Sequence, residues 1–326
     1  MKRIKVPTGH ICIINGDHGK LEFLSIGDYG KEKNIKADFL GLSREIDGVP
    51  NGNIMPLSEK WVITLSTQYG CSMGCKFCDV PKVGRGVNAS YDDLVFQTFG
   101  ALDLHRSIKH TKRLNVHYAR MGEPTFNENV LNHAKTLPSQ VELFLGDSLV
   151  HPVLSTMLPK NNEDLEHYLF EWCNIKNCLY KGDAGLQLSI NSTDDEQRIE
   201  MFSGCSHSID EISKISNRLP IPMGRKYALN FALADNYKID PFKLLDLFNP
   251  DNFMVKITPL HMTNACRKNN IKTSGGYEYY TPYKKVEEDL KSVGFDVLVF
   301  IPSHEEDESR ITCGNAILAI MNGIER

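Results

Sequence analysis

Short apolar runs alternate with longer amphipathic stretches along most of the chain after residue 60. Each apolar run is six to eight residues long and rich in Val, Ile, Leu or Phe, which is typical of a strand buried on both faces. The predicted strands cover residues 61–66, 113–118, 151–156, 185–190, 226–233, 253–258 and 296–301. The predicted helices cover residues 90–104, 126–137, 162–173, 194–202, 207–217, 240–248 and 282–293.

This alternation predicts an α/β fold with a parallel sheet, because successive parallel strands need a crossover that packs back on the sheet. Six or seven strand-helix units suit a partial or full barrel better than a flat sheet. Ser90, with Asp93 three residues later, predicts an N-cap for the first helix of the series.

The beginning of the chain has a different texture. It is rich in Gly, Lys and Asp, and its apolar alternations HICII and KLEFLSIG are separated by turn residues at Asn15-Gly16, Asp28-Tyr29-Gly30 and Asn51-Gly52. We expect residues 1–58 to form a small strand-rich extension. Residues 59–326 are expected to form the barrel core, with a C-terminal strand, a cysteine loop and a helix.

Composition narrows the classes of function. The chain has 326 residues, 41% hydrophobic and 24% charged, with a formal net charge of -4. That balance excludes a uniformly basic nucleic-acid coat, although a local basic groove remains open. Apolar runs stay far below the about 20 residues of a membrane span. The N-terminus lacks the apolar core of a secretory signal, so a cytoplasmic protein without a membrane partner is expected.

Three of the nine cysteines crowd together after the first barrel strand. Cys71, Cys75 and Cys78 have the spacing C-x3-C-x2-C, which suits three irons of a [4Fe-4S] cluster with the fourth iron left open. An open metal position is what a catalytic site needs. Structural zinc is the alternative, but it would want a second C-x2-C pair, which the sequence lacks. The odd count and the missing secretion signal argue against a disulfide framework.

The cysteine spacing and its place after the first strand resemble the radical S-adenosylmethionine (SAM) superfamily. The resemblance implies a partial (β/α)6-type barrel in which SAM chelates the open iron. Reductive cleavage of SAM then yields methionine and a 5'-deoxyadenosyl radical. It also implies an electron donor such as flavodoxin or ferredoxin.

Three later motifs resemble the RlmN/Cfr family, whose members methylate an RNA adenine. They are Gly122-Glu123-Pro124, the stretch from Ser189 to Arg198, and Cys313-Gly314-Asn315, and they follow in the family's order over about residues 61–320. The resemblance implies that one SAM methylates Cys313. A second SAM then supplies the radical that activates this S-methyl group for addition to a base carbon. The other interpretation of Cys313 is a buried packing cysteine.

The expected SAM pocket lies at or just beyond the ends of successive strands, where barrel sites assemble. Glu123 is expected to accept a hydrogen bond from the methionine amine. The family has His and Asn where this chain has Asn191 and His261, respectively. The predicted pocket residues are Gly122, Glu123, Ser155, Ser189, Asn191 and His261.

Two departures keep the substrate open. Thr64 stands where the family has its resolving cysteine, and a hydroxyl cannot form the disulfide that releases a thioether adduct. Cys12 in the extension is one candidate replacement. The extension also differs from the family's RNA-binding domain. The alternatives are therefore a radical SAM enzyme acting on a nucleotide, DNA base, peptide or metabolite without a methyl-cysteine intermediate, or a non-catalytic metal protein.

Basic residues form three clusters that are expected around the barrel mouth, where they would bind phosphates or form a solvated surface. The four remaining cysteines, Cys173, Cys178, Cys205 and Cys266, show no ligand spacing. The basic clusters are Lys76, Lys82 and Arg85; Arg106, Lys109, Lys112 and Arg113; and Arg267, Lys268 and Lys272.

Overall fold

The computed structural model describes residues 1–46, 53–273, 279–311 and 315–321. The strands are β1 (Lys2–Val6), β2 (Gly9–Gly16), β3 (Gly19–Ile26), β4 (Ile35–Lys36), β5 (Trp61–Leu65), β6 (Gln68–Gly70), β7 (Arg85–Asn88), β8 (Leu114–Tyr118), β9 (Val150–Thr156), β10 (Gly185–Ser189), β11 (Tyr227–Leu233), β12 (Phe253–Pro259) and β13 (Val297–Phe300). The helices are α1 (Lys31–Asn34), α2 (Tyr91–Asp103), α3 (Glu128–Leu145), α4 (Leu165–Asn174), α5 (Asp195–Met201), α6 (Ile209–Ser216), α7 (Pro241–Leu247), α8 (Asn264–Lys268), α9 (Thr281–Ser292), α10 (His304–Glu308) and α11 (Ala316–Met321). Within those ranges no helix has the length and apolar character to cross a membrane.

Eleven strands form one sheet in the order β1-β2-β3-β5-β8-β9-β10-β11-β12-β13-β4. The run from β5 to β13 is parallel throughout, and helices α2 to α9 lie in its crossovers. Strands β1 to β3 add an antiparallel meander at one edge, and β4 pairs antiparallel at the other. The two edges do not pair among the described residues, so the sheet is the partial α/β barrel that the sequence predicted. Each predicted barrel strand is present, with ends shifted by at most one residue.

The register of the parallel strands separates an outer face from an inner one. On β5 the outward residues Trp61, Ile63 and Leu65 are fully buried beneath the helices, whereas Val62 and Thr64 point to the barrel interior. The interior therefore carries an unusual number of polar side chains for a barrel, whose inside is ordinarily packed with branched apolar residues. These inward residues are Thr64, His117, Ser155, Gln187, Ser189, Asn230, Lys256 and Thr258.

The extension continues the barrel sheet, because β3 pairs directly with β5. Cys12 lies opposite Phe23 in this meander, and the Phe23 ring lies 3.0 Å from the position a Cβ would take on Gly100 of α2. Cys12 therefore faces the helices and not the barrel interior. Burial raises the pKa of its thiol to about 11. The predicted turn at residues 51–52 lies outside the described residues, and the division of the chain at residue 58 stays a prediction.

Helix α3 runs to Leu145, beyond its predicted end at residue 137. Pro138 would ordinarily stop it, because proline has no N–H to donate to the carbonyl of Ala134 one turn earlier. The Tyr180 hydroxyl donates to that carbonyl at 2.6 Å instead. The helix therefore continues past the proline, because the side chain of Tyr180 satisfies the carbonyl that the proline cannot.

The predicted N-cap at Ser90 is confirmed and also positions the neighbouring hairpin. Ser90 Oγ accepts from the Asp93 amide at 3.0 Å, and Asp93 Oδ2 accepts from the Ser90 amide at 2.8 Å. Asp93 Oδ2 accepts in addition from the Tyr69 hydroxyl at 2.9 Å. Tyr69 belongs to β6, so the start of α2 is tied to the strand that leads into the cysteine loop.

Candidate active site

The cysteine loop is closed by a short hairpin. Strands β6 and β7 pair antiparallel, and the Cys71 amide donates to the Gly84 carbonyl at 3.3 Å. Gly70 has a φ of +81°, and a Cβ there would lie 2.2 Å from the Gly84 oxygen. Only glycine allows the two ends of the loop to approach so closely. All three clustered cysteines therefore lie on one covalently short, tightly closed segment.

The far side of the loop is held by the end of α5 and the residues after it. The Lys76 amide donates to the Met201 carbonyl at 2.9 Å, and the Ser203 hydroxyl donates to the Gly74 carbonyl at 2.5 Å. Within the loop, the Cys78 amide donates to the Cys75 carbonyl at 3.1 Å. These contacts fix the backbone without using any of the three thiols.

The three thiols are crowded and poorly solvated. Burial raises the pKa of Cys71 to about 12 and that of Cys78 to about 11, and it raises the pKa of Cys75 well above its ordinary value. Mutual repulsion of the thiolates adds to the effect at Cys71 and Cys75, and the Glu123 carboxylate adds further. Bound iron would lower the pKa values of these thiols instead, because a bound cation stabilises the thiolate form.

This donor set fits a [4Fe-4S] cluster. In such a cluster each thiolate binds a separate iron, so the ligands stay apart around a bulky core. In the described part of the chain, no three His, Cys, Asp or Glu side chains converge on a point where one metal ion would be held.

The structure also brings a fourth cysteine to the loop. Cys205 packs against an apolar cluster formed by Met73, Cys75, Met201 and Phe202, and its charge acts on the Cys75 thiol. Sequence spacing gave no sign of this, because Cys205 comes from the turn after α5. The thiol is half-buried and therefore open on one side.

Cys266 lies behind the loop and has a structural environment. It is fully buried, and its thiol lies 3.3 Å from the His261 carbonyl and 3.6 Å from the Phe77 carbonyl. The neighbouring Thr263 hydroxyl donates to the Phe77 carbonyl at 2.6 Å. These contacts join the segment after β12 to the last turn of the cysteine loop.

Gln68 connects the cysteine loop to the Gly-Glu-Pro turn. Its Oε1 accepts from the Glu123 amide at 3.0 Å and from the Ser72 hydroxyl at 3.3 Å. Gly122 has a φ of +96°, and a Cβ on it would lie 2.5 Å from the Cβ of Gln68. Sequence reasoning missed Gln68, since a single glutamine at the start of a loop has no recognisable spacing.

The Glu123 carboxylate is buried in the turn that follows β8. Its Oε1 accepts from the Thr125 amide and hydroxyl at 3.1 and 2.8 Å, and its Oε2 accepts from the Met157 amide at 2.8 Å. Burial raises the pKa of this carboxyl, while these hydrogen bonds oppose the change. The Thr156 side chain hydrogen-bonds this carboxyl as well. A carboxylate has about four acceptor positions, so these donors fix its orientation.

The other predicted pocket residues fall into two environments. Ser155 and Ser189 point into the barrel near the ends of β9 and β10 and stay partly exposed. Asn191 is 2% exposed, with a φ of +59°, and its Oδ1 accepts from the Ala232 amide at 2.9 Å. His261 is 3% exposed, two residues beyond β12. Asn191 and His261 therefore shape the barrel end from beneath the surface.

Cys313 lies outside the described residues. The described residues on either side of it contact the end of β8: the Ile311 carbonyl accepts from Arg120 Nη1 at 3.1 Å, and Asn315 Nδ2 lies 3.1 Å from the Met121 sulfur. Arg120 and Met121 directly precede the Gly-Glu-Pro turn.

One predicted basic cluster does not lie at the barrel mouth. Lys112 and Arg113 precede β8, so they lie at the N-terminal end of the strands, opposite the cysteine loop. The sequence gives only the order of elements, and the prediction misjudged which end of the barrel the segment reaches. A cavity of about 380 Å³ does open beside the cysteine loop. It is lined by Lys76, Gln197, Glu200, Met201, Asp235, Asn236, Tyr237, Asn269, Asn270, Ile271 and Lys272.

Comparison with known proteins agrees with this geometry. The dual-specificity RNA methyltransferase RlmN of Campylobacter hominis is 36% identical over 256 residues, which is 77% of this chain and 62% of that protein. RlmN of Campylobacter lari is 28% identical over 222 residues, 67% of this chain and 58% of the relative. The chain is therefore similar to the radical SAM, RlmN-like family. No family model matches it.

A solved structure supports the fold of this RlmN-like chain. A radical SAM methyltransferase from Sphaerobacter thermophilus superposes with a TM-score of 0.59 over 92% of this chain and 75% of that one, at 16% identity. The RlmN-like chain spans about half the length of the curated relatives it matches.

Proposed function

We propose that this RlmN-like chain is a radical SAM enzyme that methylates a carbon of an RNA adenine. The observation that carries the proposal is the junction built by Gln68. It joins the three-cysteine loop to the turn that bears the buried Glu123 carboxylate. The relatives named RNA methyltransferase supply the class of substrate.

Different residues of the chain would hold the cluster and SAM. Cys71, Cys75 and Cys78 would bind three irons of a [4Fe-4S] cluster, and the closed hairpin leaves the fourth iron without a thiolate from the loop. Bound together, the cluster and SAM supply a 5'-deoxyadenosyl radical through reductive cleavage. Reduction requires an electron donor, which we propose to be of flavodoxin or ferredoxin type.

Glu123 is suited to orient the SAM amine. Its carboxylate is held by Thr125, Thr156 and Met157, so its orientation is fixed and its negative charge can attract an ammonium group. Ser155 and Ser189 offer hydroxyls from the inner face of the barrel to the rest of the ligand. Gly122, Asn191 and His261 complete the pocket by fixing the backbone around it.

Cys313 is the proposed methyl carrier. The contacts of Ile311 and Asn315 with the end of β8 support this role, because they attach its flanking residues beside the Gly-Glu-Pro turn. A methyl carrier has to lie within reach of the SAM pocket, and this turn is one wall of that pocket.

A second candidate function keeps the radical chemistry but changes the substrate. Thr64 points into the barrel opposite His117, where the family has its resolving thiol, and Cys12 faces the helices. Without a thiolate at that position, a thioether adduct has no partner for disulfide release. Direct radical attack on a nucleotide, DNA base, peptide or metabolite would need no such release.

Mass spectrometry of bulk RNA nucleosides tests the proposal. Cells that contain the wild-type chain should show a methyladenosine that is absent from cells without it and from cells with the Cys75→Ala variant. A nucleoside profile that is identical in all three strains contradicts RNA methylation. If purified wild type nevertheless forms 5'-deoxyadenosine from SAM, the second candidate function takes its place.

A further inference from the structure

The N-terminal end of the barrel carries a group of cations that the proposed chemistry does not use. Lys60 directly precedes β5, Arg113 precedes β8, and Arg225 comes two residues before β11. Strand β12 adds Lys256, which points into the barrel because it is paired with Asn230 of β11. All four cations therefore surround the lower half of the barrel interior.

Lys256 lies deep inside the barrel and is surrounded by positive charge. Its Nζ is 6.0 Å from the centre of the Phe300 ring. Burial lowers its pKa to about 8, and the two charges that lower it further, Arg225 and Lys60, are both cations. A partly desolvated cation on which only like charges act is costly, since desolvation is not repaid by an ion pair.

Among the described residues, no carboxylate is among the charges that act on Lys256. The charges of Lys60 and Asp28 act on the buried Glu306. Asp28 forms an ion pair with Lys60, and the charge of Asp183 acts on Arg113 and Arg225. The Asp183 side chain is 56% exposed, so water screens much of its charge. These acids reduce the positive charge at the rim and leave the interior positive.

Two histidines complete the lining. His117 points inward from β8, where burial and the charges of Lys256, Arg225 and their neighbours lower its pKa to about 3. His151 is 4% exposed, and its Nδ1 has no hydrogen-bond partner. Its nearest acidic oxygen, on Asp183, lies 3.9 Å away, which is beyond hydrogen-bond distance. His151 thus offers an unused polar atom beside the cations.

His117 and Lys256 point into the barrel, yet each keeps some accessible surface. Solvent therefore reaches both residues. Guanidinium groups match the oxygens of phosphate in a planar fork, and lysine binds phosphate as a point charge. The charges of Arg113, Arg225 and Lys256 all act on His117, and this combination of two guanidinium groups with a lysine favours a phosphoryl group over a monovalent halide.

We propose that the barrel interior at its N-terminal end is a binding site for a phosphoryl group, held by Lys256 with Arg113 and Arg225. The ligand is inorganic phosphate or the phosphate of a small ester such as a nucleotide. The site lies at the opposite end of the barrel from the cysteine loop, so it is independent of the proposed methyl transfer.

Thermal unfolding of the full chain with its cluster reconstituted, titrated with inorganic phosphate at constant ionic strength, tests the site. Phosphate should raise the melting temperature of wild type. Lys256→Met should melt at a higher temperature than wild type without phosphate, because a partly desolvated cation on which only like charges act has been removed. Its affinity for phosphate should fall about tenfold or more. The variant is expected to be more stable than wild type and yet to bind phosphate more weakly. A misfolded variant would instead lose both stability and phosphate binding.

Lys226→Met is the matched control. Lys226 is a neighbour of Arg225, but it donates to Asp296 at 2.7 Å and to the Pro250 carbonyl at 2.8 Å. Its variant should keep the phosphate response of wild type. Parallel titrations with adenosine monophosphate, and with adenosine as the ligand that lacks phosphate, separate the two sources. If adenosine monophosphate binds more tightly than inorganic phosphate, the ligand is an ester. If the two bind equally, it is free phosphate.

The proposal is overturned if phosphate leaves the wild-type melting temperature unchanged relative to chloride. It is also overturned if Lys256→Met responds to phosphate as wild type does. Neither result bears on methyl transfer, because the assay contains no SAM.

Discussion

Glu22 and Arg120 form a buried ion pair that joins the extension to the end of the chain. Arg120 Nε donates to Glu22 Oε1 at 2.6 Å, and the two side chains are 4% and 0% exposed. The same guanidinium donates to the carbonyls of Arg310 and Ile311 at 2.8 and 3.1 Å. Arg120 thus holds the chain just before the segment that contains Cys313.

The carboxylate holds the chain just after that segment. Glu22 Oε2 accepts from the amides of Ala316 and Ile317 at 2.8 and 3.1 Å. One ion pair therefore anchors both flanks of the proposed methyl carrier beside the Gly-Glu-Pro turn. This gives β3 of the extension a positioning role.

Replacing Glu22 tests this anchor. Glu22→Gln leaves the Arg120 guanidinium buried without its counter-charge, which should cost about 3–5 kcal/mol of unfolding free energy. Glu59→Gln is the control, because Glu59 pairs with Lys112 at the surface and should cost less than about 1 kcal/mol. Urea unfolding measures both, and equal small losses would contradict the role of the pair.

A double variant separates positioning from stability. Glu22→Leu combined with Arg120→Met should recover most of the lost stability, since apolar side chains can replace a buried ion pair. It should still show less methyl label from SAM on the Cys313 peptide, because both anchors are gone. Full labelling would mean that the pair contributes only stability.

Gly122 should tolerate no side chain. Gly122→Ala would place a Cβ 2.5 Å from Gln68 and impose a φ of +96° on alanine. Gly41→Ala is the matched control, because Gly41 has a φ of +73° but nothing within 4 Å of the added carbon. The control should lose about 1–3 kcal/mol of unfolding free energy, because alanine is strained at this positive φ. Gly122→Ala should lose more unfolding free energy than this control, as measured by calorimetry, and it should also weaken SAM binding. Equal losses in the two variants would show that the contact with Gln68 does not matter.

Glu123→Gln should weaken SAM binding about 10- to 100-fold, the range for a lost hydrogen bond to a charged group. The amide NH2 would also face a donor on Thr125 or Met157, where the carboxylate accepted. Iron content should stay at the wild-type value, because the thiols are untouched. Glu128→Gln, at the exposed start of α3, is the control. Unchanged SAM affinity in equilibrium binding would exclude Glu123 from the pocket.

His133 should make stability depend on pH. It is fully buried, with Nδ1 2.8 Å from the Tyr118 hydroxyl and Nε2 3.2 Å from the Thr98 hydroxyl. Thr98 also donates to the Leu94 carbonyl, so the network suits a neutral ring that donates from Nε2. Burial lowers its pKa to about 3.

The sign follows from the protons bound in each state. Between the ordinary pKa of 6.5 and the folded value of about 3, the unfolded chain binds a proton that the folded chain does not. Stability should therefore fall as pH drops through this window, by about 2 kcal/mol from pH 6.5 to 5 for this residue. His133→Gln should reduce that slope in urea unfolding series. An unchanged slope would show that His133 is not responsible.

Strand positions and the cap at Ser90 were predictable because they depend on local pattern. Periodicity located each barrel strand, and Ser90 with Asp93 satisfies the first amides of α2 within three residues. The continuation of α3 past Pro138 was not predictable, since the replacement donor is Tyr180. The short β1 was missed because its alternation contains only two apolar residues, Ile4 and Val6, and the hairpin of β6 and β7 was missed because its strands are three and four residues long.

For the candidate site as well, only the parts that depend on local motifs were predictable. Three clustered thiols and a Gly-Glu-Pro turn are visible as local motifs. The contribution of Gln68 and the approach of Cys205 depend on residues that only the folded chain brings together. Arg113 was misplaced although the predicted strand began at residue 113, because the start of a parallel strand lies at the end of the barrel opposite the site.

The central claim is that the three-cysteine loop supports reductive cleavage of SAM. The direct measurement is 5'-deoxyadenosine formation by the anaerobically reconstituted chain with SAM and dithionite. Wild type should bind about four irons and form 5'-deoxyadenosine. The Cys71→Ala, Cys75→Ala and Cys78→Ala triple variant should do neither, whereas Cys178→Ala, at an exposed thiol outside the loop, should behave as wild type. Absence of 5'-deoxyadenosine from wild type, or equal formation by the triple variant, would contradict the account.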